Sequence, residues 1–103
     1  MNKDKLRAYA REVKKGYTLM KEGNYAKAKE AFFPFVQLMR QFDKRPFRLF
    51  YAYSLTQFYT GDIEGFFETY GELQQVTPST EEEKKMKQTL EDVFFNVREE
   101  MSK

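Results

Sequence analysis

A short phrase occurs twice in this chain and restricts the folds open to it. Gly23-Asn24-Tyr25, followed by Ala28 and Phe32, returns 38 residues later as Gly61-Asp62-Ile63, followed by Phe66 and Tyr70. In each copy a glycine that can take left-handed backbone precedes a side chain that can cap a helix, with apolar-periodic stretches on both sides. That pattern is the turn of a helical hairpin, and self-similarity at such a period is the mark of stacked helix pairs. Proteins built in this way generally hold other proteins, so binding is expected before chemistry.

The flanking patterns predict five helices in an all-α chain. The first runs from about Lys3 to Glu22, with Leu6, Ala10, Val13, Tyr17 and Met20 on one stripe. The second spans about Tyr25 to Phe42 and contains Pro34, whose missing N–H and crowding ring predict a kink near Glu30. Asp43-Lys44-Arg45 links it to a third helix, opened by Pro46 as its first residue and running to about Thr60. This third helix is apolar nearly all round and is expected at the centre of the fold. The fourth runs from Ile63 to about Val76 before Pro78. Ser79 and Thr80, with Glu82 and Glu83 three residues on, predict overlapping capping boxes for the fifth. That last helix has a seam of Met86, Leu90, Val93, Phe94, Val97 and Met101, and an expected wet face bearing Lys84, Lys85, Lys87, Glu91, Arg98 and Glu99. A terminal helix with one wet face suits the end of a stack.

Composition removes several function classes. With 103 residues the chain reads as one domain, 1–103, and its eleven Phe and seven Tyr are enough for a core. The chain has no Cys, so no disulfide or thiolate metal site is expected, and no His, the commonest general base and transition-metal ligand. No P-loop, dinucleotide-binding glycine turn or nucleophile elbow is present. Asp62, Glu64 and Glu68 are carboxylates at a helix start, where a cap is the simpler role for Asp62. An enzyme is therefore not expected, nor a cofactor or a metal. Met1-Asn2-Lys3-Asp4-Lys5 lacks the apolar run of a signal peptide, and no apolar stretch approaches the ~20 residues of a membrane span, so a cytoplasmic protein without a membrane partner is expected.

Charge is unevenly placed. Residues 1–48 hold 13 Lys/Arg against 5 Asp/Glu, whereas 49–103 hold 5 against 11. Such asymmetry suits a directional surface or self-association, and it also suits ordinary solvated helix faces. Lys3, Lys5, Arg7, Arg11, Lys14 and Lys15 load the first helix with positive charge, the minimum that phosphate binding needs. The acidic second half makes nucleic acid the weaker expectation. Arg40, Lys44, Arg45 and Arg48 cluster at the join of the two repeats, where they can receive acidic groups of a partner or favour a helix C-terminus.

From about Tyr9 to Pro78 the chain resembles the tetratricopeptide repeat family. Gly16 and Ser54 match the small residues where paired helices cross, and Gly23 and Gly61 match the turns. Tyr25, Ala28 and Phe32 match second-helix positions of the first repeat. Phe50, Ile63, Tyr70 and the closing Pro78 match the second. Glu12, Phe35 and Phe66 depart from the family pattern, Glu12 from a bulky apolar site and the two phenylalanines from small ones, which implies an irregular member. The resemblance implies a stack of antiparallel hairpins, with repeat 1 at about 9–43, repeat 2 at about 46–78 and a capping helix at about 79–102. It also implies a concave inner face built by the first helix of each repeat. On that face Tyr17, Met20, Arg48, Tyr51, Leu55 and Tyr59 are the expected contacts for a protein or peptide partner, with Arg40, Lys44 and Arg45 as contacts for acidic groups. Val13, Tyr17 and Ala52 stand where chaperone-tail-binding members carry Lys and Asn, so that ligand is not expected. A homodimer that covers exposed aromatic surface is the second expectation.

Overall fold

The computed structural model describes residues 3–103; Met1 and Asn2, which open the domain and the segment inspected for a signal peptide, lie outside the described residues. Five helices follow in order: α1 (Lys3–Lys21), α2 (Tyr25–Gln41), α3 (Phe47–Tyr59), α4 (Ile63–Leu73) and α5 (Glu81–Met101). Among the described residues there is no strand, and no helix is long and apolar enough to cross a membrane.

The helix stops explain the hairpins. At the end of α1 the Gly23 N–H donates to the Met20 carbonyl and the Asn24 N–H to the Leu19 carbonyl, with Gly23 at φ 80°. The end of α3 repeats the arrangement: Gly61 donates to Phe58 and Asp62 to Gln57, with Gly61 at φ 84°. These paired bonds close the last carbonyls of a helix and require a left-handed residue between them. The end of α2 uses the same device with no glycine, since Asp43 donates to Arg40 and Lys44 to Met39 while Asp43 stands at φ 54°. Restarts are equally local. Asn24 accepts from the Lys27 N–H, Asp62 from Gly65 and Thr80 from Glu83. The Glu83 carboxylate accepts in return from Ser79, through both its N–H and its hydroxyl.

Boundaries differ from expectation at two places. Pro46 precedes α3 as its cap and is not its first residue. α4 ends at Leu73, because the Gln74, Gln75 and Val76 N–H groups turn to carbonyls only three residues back, apart from a shared bond from Gln74 to Tyr70. α2 continues as one helix through Pro34. Pro34 and Glu30 are both exposed, so water can serve the carbonyl that the proline leaves without a donor.

α3 occupies the centre and touches each of the other four helices. Helices α1, α3 and α5 lie side by side along one layer; α2 packs between α1 and α3, and α4 between α3 and α5. The close approach of α1 to α2 depends on Gly16, where a Cβ would lie 2.6 Å from the Phe32 ring. Phe32, Phe50 and Phe66 are fully buried and form the aromatic centre together with Val36, Leu73 and Leu90. Phe66, a large residue where its counterpart Ala28 is small, is accommodated among Phe58, Phe67 and Tyr70, with ring centroids 5.7 to 6.3 Å away.

Candidate functional site

The α1–α3–α5 layer encloses a concavity of about 460 Å³ lined by Tyr17, Met20 and Lys21 from α1, Arg48, Tyr51 and Ala52 from α3, and Met86 from α5. Helical spacing explains the set. Tyr17 and Met20 are three residues apart on α1, as are Arg48 and Tyr51 on α3, so each pair presents one face. Tyr17 packs its ring edge-on against buried Phe32, with centroids 5.1 Å apart. That contact fixes the floor of the concavity to the core.

The walls are apolar and the rim is charged. Burial raises the pKa of the Tyr17 hydroxyl, and the nearby Arg48 cation partly opposes that rise. Burial likewise raises Tyr51, opposed by a hydrogen bond with the Thr89 side chain and reinforced by nearby Tyr59. Both phenols therefore remain neutral hydrogen-bonding groups at ordinary pH. Arg48 reaches across to the start of α5, where its guanidinium donates to Glu82 at 2.5 Å and lies 3.9 Å from Glu83. The Arg48–Glu82 pair is exposed at both ends, so it contributes little to stability and can be exchanged for a ligand carboxylate.

Two of the expected contacts lie outside this lining. Leu55 is half-buried against the core. Tyr59 is 55% exposed and stacks on Tyr25, with centroids 4.4 Å apart, at the far end of α3. The basic join is also differently disposed. Arg40 donates to both carboxylate oxygens of Glu72 and to the Thr69 hydroxyl. Arg45 meets the same carboxylate at 2.7 Å. Both guanidinium groups lie 5.7 Å from the centre of the Phe50 ring. Their positive charge is thus met inside the chain, while Lys44 is exposed to solvent.

The contrast in charge between the halves has a structural use. Lys29 pairs with Asp62, Arg40 and Arg45 with Glu72, and Arg48 with Glu82, each joining a cation of the first half to an anion of the second. Sequence reading missed Glu72 as the receiver of two arginines and Lys21 and Met86 as groove residues. Met86 was legible as an α5 seam residue, but its place beside Tyr51 depends on how α5 docks. Among the described residues no group of three or more carboxylates converges as metal ligands would.

Comparison with family models, with curated proteins and with solved structures gives no match.

Proposed function

We propose that this protein is a small tetratricopeptide-like adaptor that holds a protein or peptide segment in the α1–α3–α5 groove. The observation that supports this reading is the convergence of Tyr17, Met20, Arg48 and Tyr51 with Lys21 and Met86 around one concavity. Two phenols and two thioethers offer adaptable apolar contact, and the phenol hydroxyls keep a polar handle. Lys21 and Arg48 add cations at the rim. The matching ligand is a segment with one bulky apolar side chain beside a carboxylate, which would exchange with Glu82 for Arg48.

Selection of displayed random peptides on the intact protein tests the proposal. Selected sequences are expected to carry an aromatic or aliphatic residue next to Asp or Glu. Their binding should fall about tenfold or more on Arg48→Ala or Met86→Ala, since groove anchors typically contribute about 2 kcal/mol each. The melting temperature should change little for Arg48→Ala. Peptides that bind both variants as tightly as the parent protein would place the site elsewhere.

A further inference from the structure

The outward side of α5 differs from the wet face expected of a terminal helix. Phe95 is 59% exposed and Met101 65% exposed, although the sequence pattern puts Met101 on the inward seam. The physical reason is length. α5 has 21 residues against 13 in α3 and 11 in α4, so its last turns run past the helices that cover its middle. Phe94 is half-buried: its ring stacks on Tyr70 with centroids 4.1 Å apart and meets Phe95 edge to face at 6.2 Å, and it lines an open surface concavity with Arg98 and Met101. The result is a ledge of Phe94, Phe95 and Met101, with Arg98 lying over the Phe94 ring at 5.7 Å.

Charge along this ledge has a pattern that specifies its occupant. Glu91 and Arg98 are seven residues apart, so they lie about 20° from the same line on the helix, on either side of the Phe94–Phe95 pair. Among the described residues neither makes an ion pair; Arg98 lies over the Phe94 ring, and Glu91 acts on the hydroxyl of Tyr70, whose ring stacks with Phe94. A stripe that reads anion, aromatic, aromatic, cation is antisymmetric about its midpoint. Turned end for end, it presents Arg98 to Glu91, Phe95 to Phe94 and Glu91 to Arg98. An isologous two-fold contact demands this self-complementarity, and a stripe with the same charge at both ends would set like charges opposite each other.

We infer that α5 is a homodimerisation surface, on which a second copy of this chain lays its own α5 antiparallel, with Phe95 against Phe94 of the other copy and two Glu91–Arg98 pairs flanking them. The surface lies away from the Tyr17–Tyr51 groove, so dimer formation and peptide capture fail or hold independently.

Sedimentation equilibrium of the full chain tests this, with circular dichroism as a check that each variant is folded. The wild type is expected to pass from monomer to dimer as concentration rises into the range of about 100 µM, appropriate to a contact below the standard interface size. Arg98→Glu and Glu91→Arg each place like charges opposite one another and should weaken the dimer at least about tenfold. An equimolar mixture of the two variants should restore it. The arginine introduced in one chain then meets the glutamate introduced in the other, and the remaining native Arg98 and Glu91 meet on the opposite flank. Phe95→Ser should abolish the dimer. A chain that stays monomeric throughout overturns the inference. So does a dimer indifferent to Arg98→Glu, a variant mixture no stronger than its components, or growth into assemblies larger than two.

Discussion

Replacing Glu72 with alanine should be among the most damaging single changes to a charged residue in this protein. The Glu72 carboxylate receives three contacts from Arg40, the shortest at 2.6 Å, and one from Arg45 at 2.7 Å. Its side chain is 16% exposed and those of the arginines 21% and 23%. Solvent screening is therefore weak, and the two cations, both against the Phe50 ring, are left facing one another when the anion is removed. Removing one partner of a buried pair costs about 3–5 kcal/mol. Residual access of water to all three groups reduces that to about 2–4 kcal/mol here, or roughly 10–20 °C in Tm for a domain of this size. Urea denaturation should show a lower midpoint with an unchanged slope. Glu68→Ala, on the same helix but exposed, should stay within about 0.5 kcal/mol of wild type. Removing Arg45 first should lessen the cost, since only one cation is then orphaned, and the resulting coupling is measurable by a double-mutant cycle. If Glu72→Ala unfolds at the same urea concentration as Glu68→Ala, the bridge does not hold α4 to the α2–α3 join.

Glycine substitutions should split by packing: Gly16→Ala drives a Cβ into the Phe32 ring and should destabilise by about 1–3 kcal/mol, whereas Gly71→Ala, with open space around it, should stabilise by about 0.5–1 kcal/mol in thermal melts. Asp43→Gly removes a left-handed non-glycine residue and gives up only a long ion pair, 3.6 Å, whose carboxylate is fully exposed, so it should raise stability by about 0.5–1 kcal/mol; no gain would mean that the α2 stop is not strained. Acid titration should single out Asp62, whose pKa lies below the ordinary Asp value, chiefly because it accepts the Gly65 N–H and also because Lys29 bonds to it. A depressed carboxylate contributes stability that is full above its unfolded pKa of about 3.9 and is lost as pH falls through the lower folded value. Asp62→Asn keeps a capping oxygen but not the charge, so its stability should fall less steeply than that of wild type below about pH 4.

Local chemistry made the hairpins legible. Gly23-Asn24 and Gly61-Asp62 each contain both a left-handed stop and a helix cap within two residues, and their hydrogen bonds reach no further than five residues along the chain. The central place of α3 was equally readable, because a helix with apolar side chains on every face has no stable position at the surface. Tyr17, Met20, Arg48 and Tyr51 share one concavity, and it was the resemblance to tetratricopeptide repeats, not periodicity, that set them on a common face. What the sequence did not reveal depends on pairs far apart in the chain. Arg40 and Arg45 read as free cations at a join, and only the packing of α4 brings Glu72, 32 residues beyond Arg40, between them. Arg48 meets Glu82 across 34 residues for the same reason. Met86 enters the groove, and Met101 leaves the core, according to where a 21-residue helix lies against shorter neighbours. Backbone turns are set by sterics and hydrogen bonds within a few residues, so the sequence alone determines them; ion pairs, grooves and exposed ledges are set by which helix faces meet, and only the packed structure decides that.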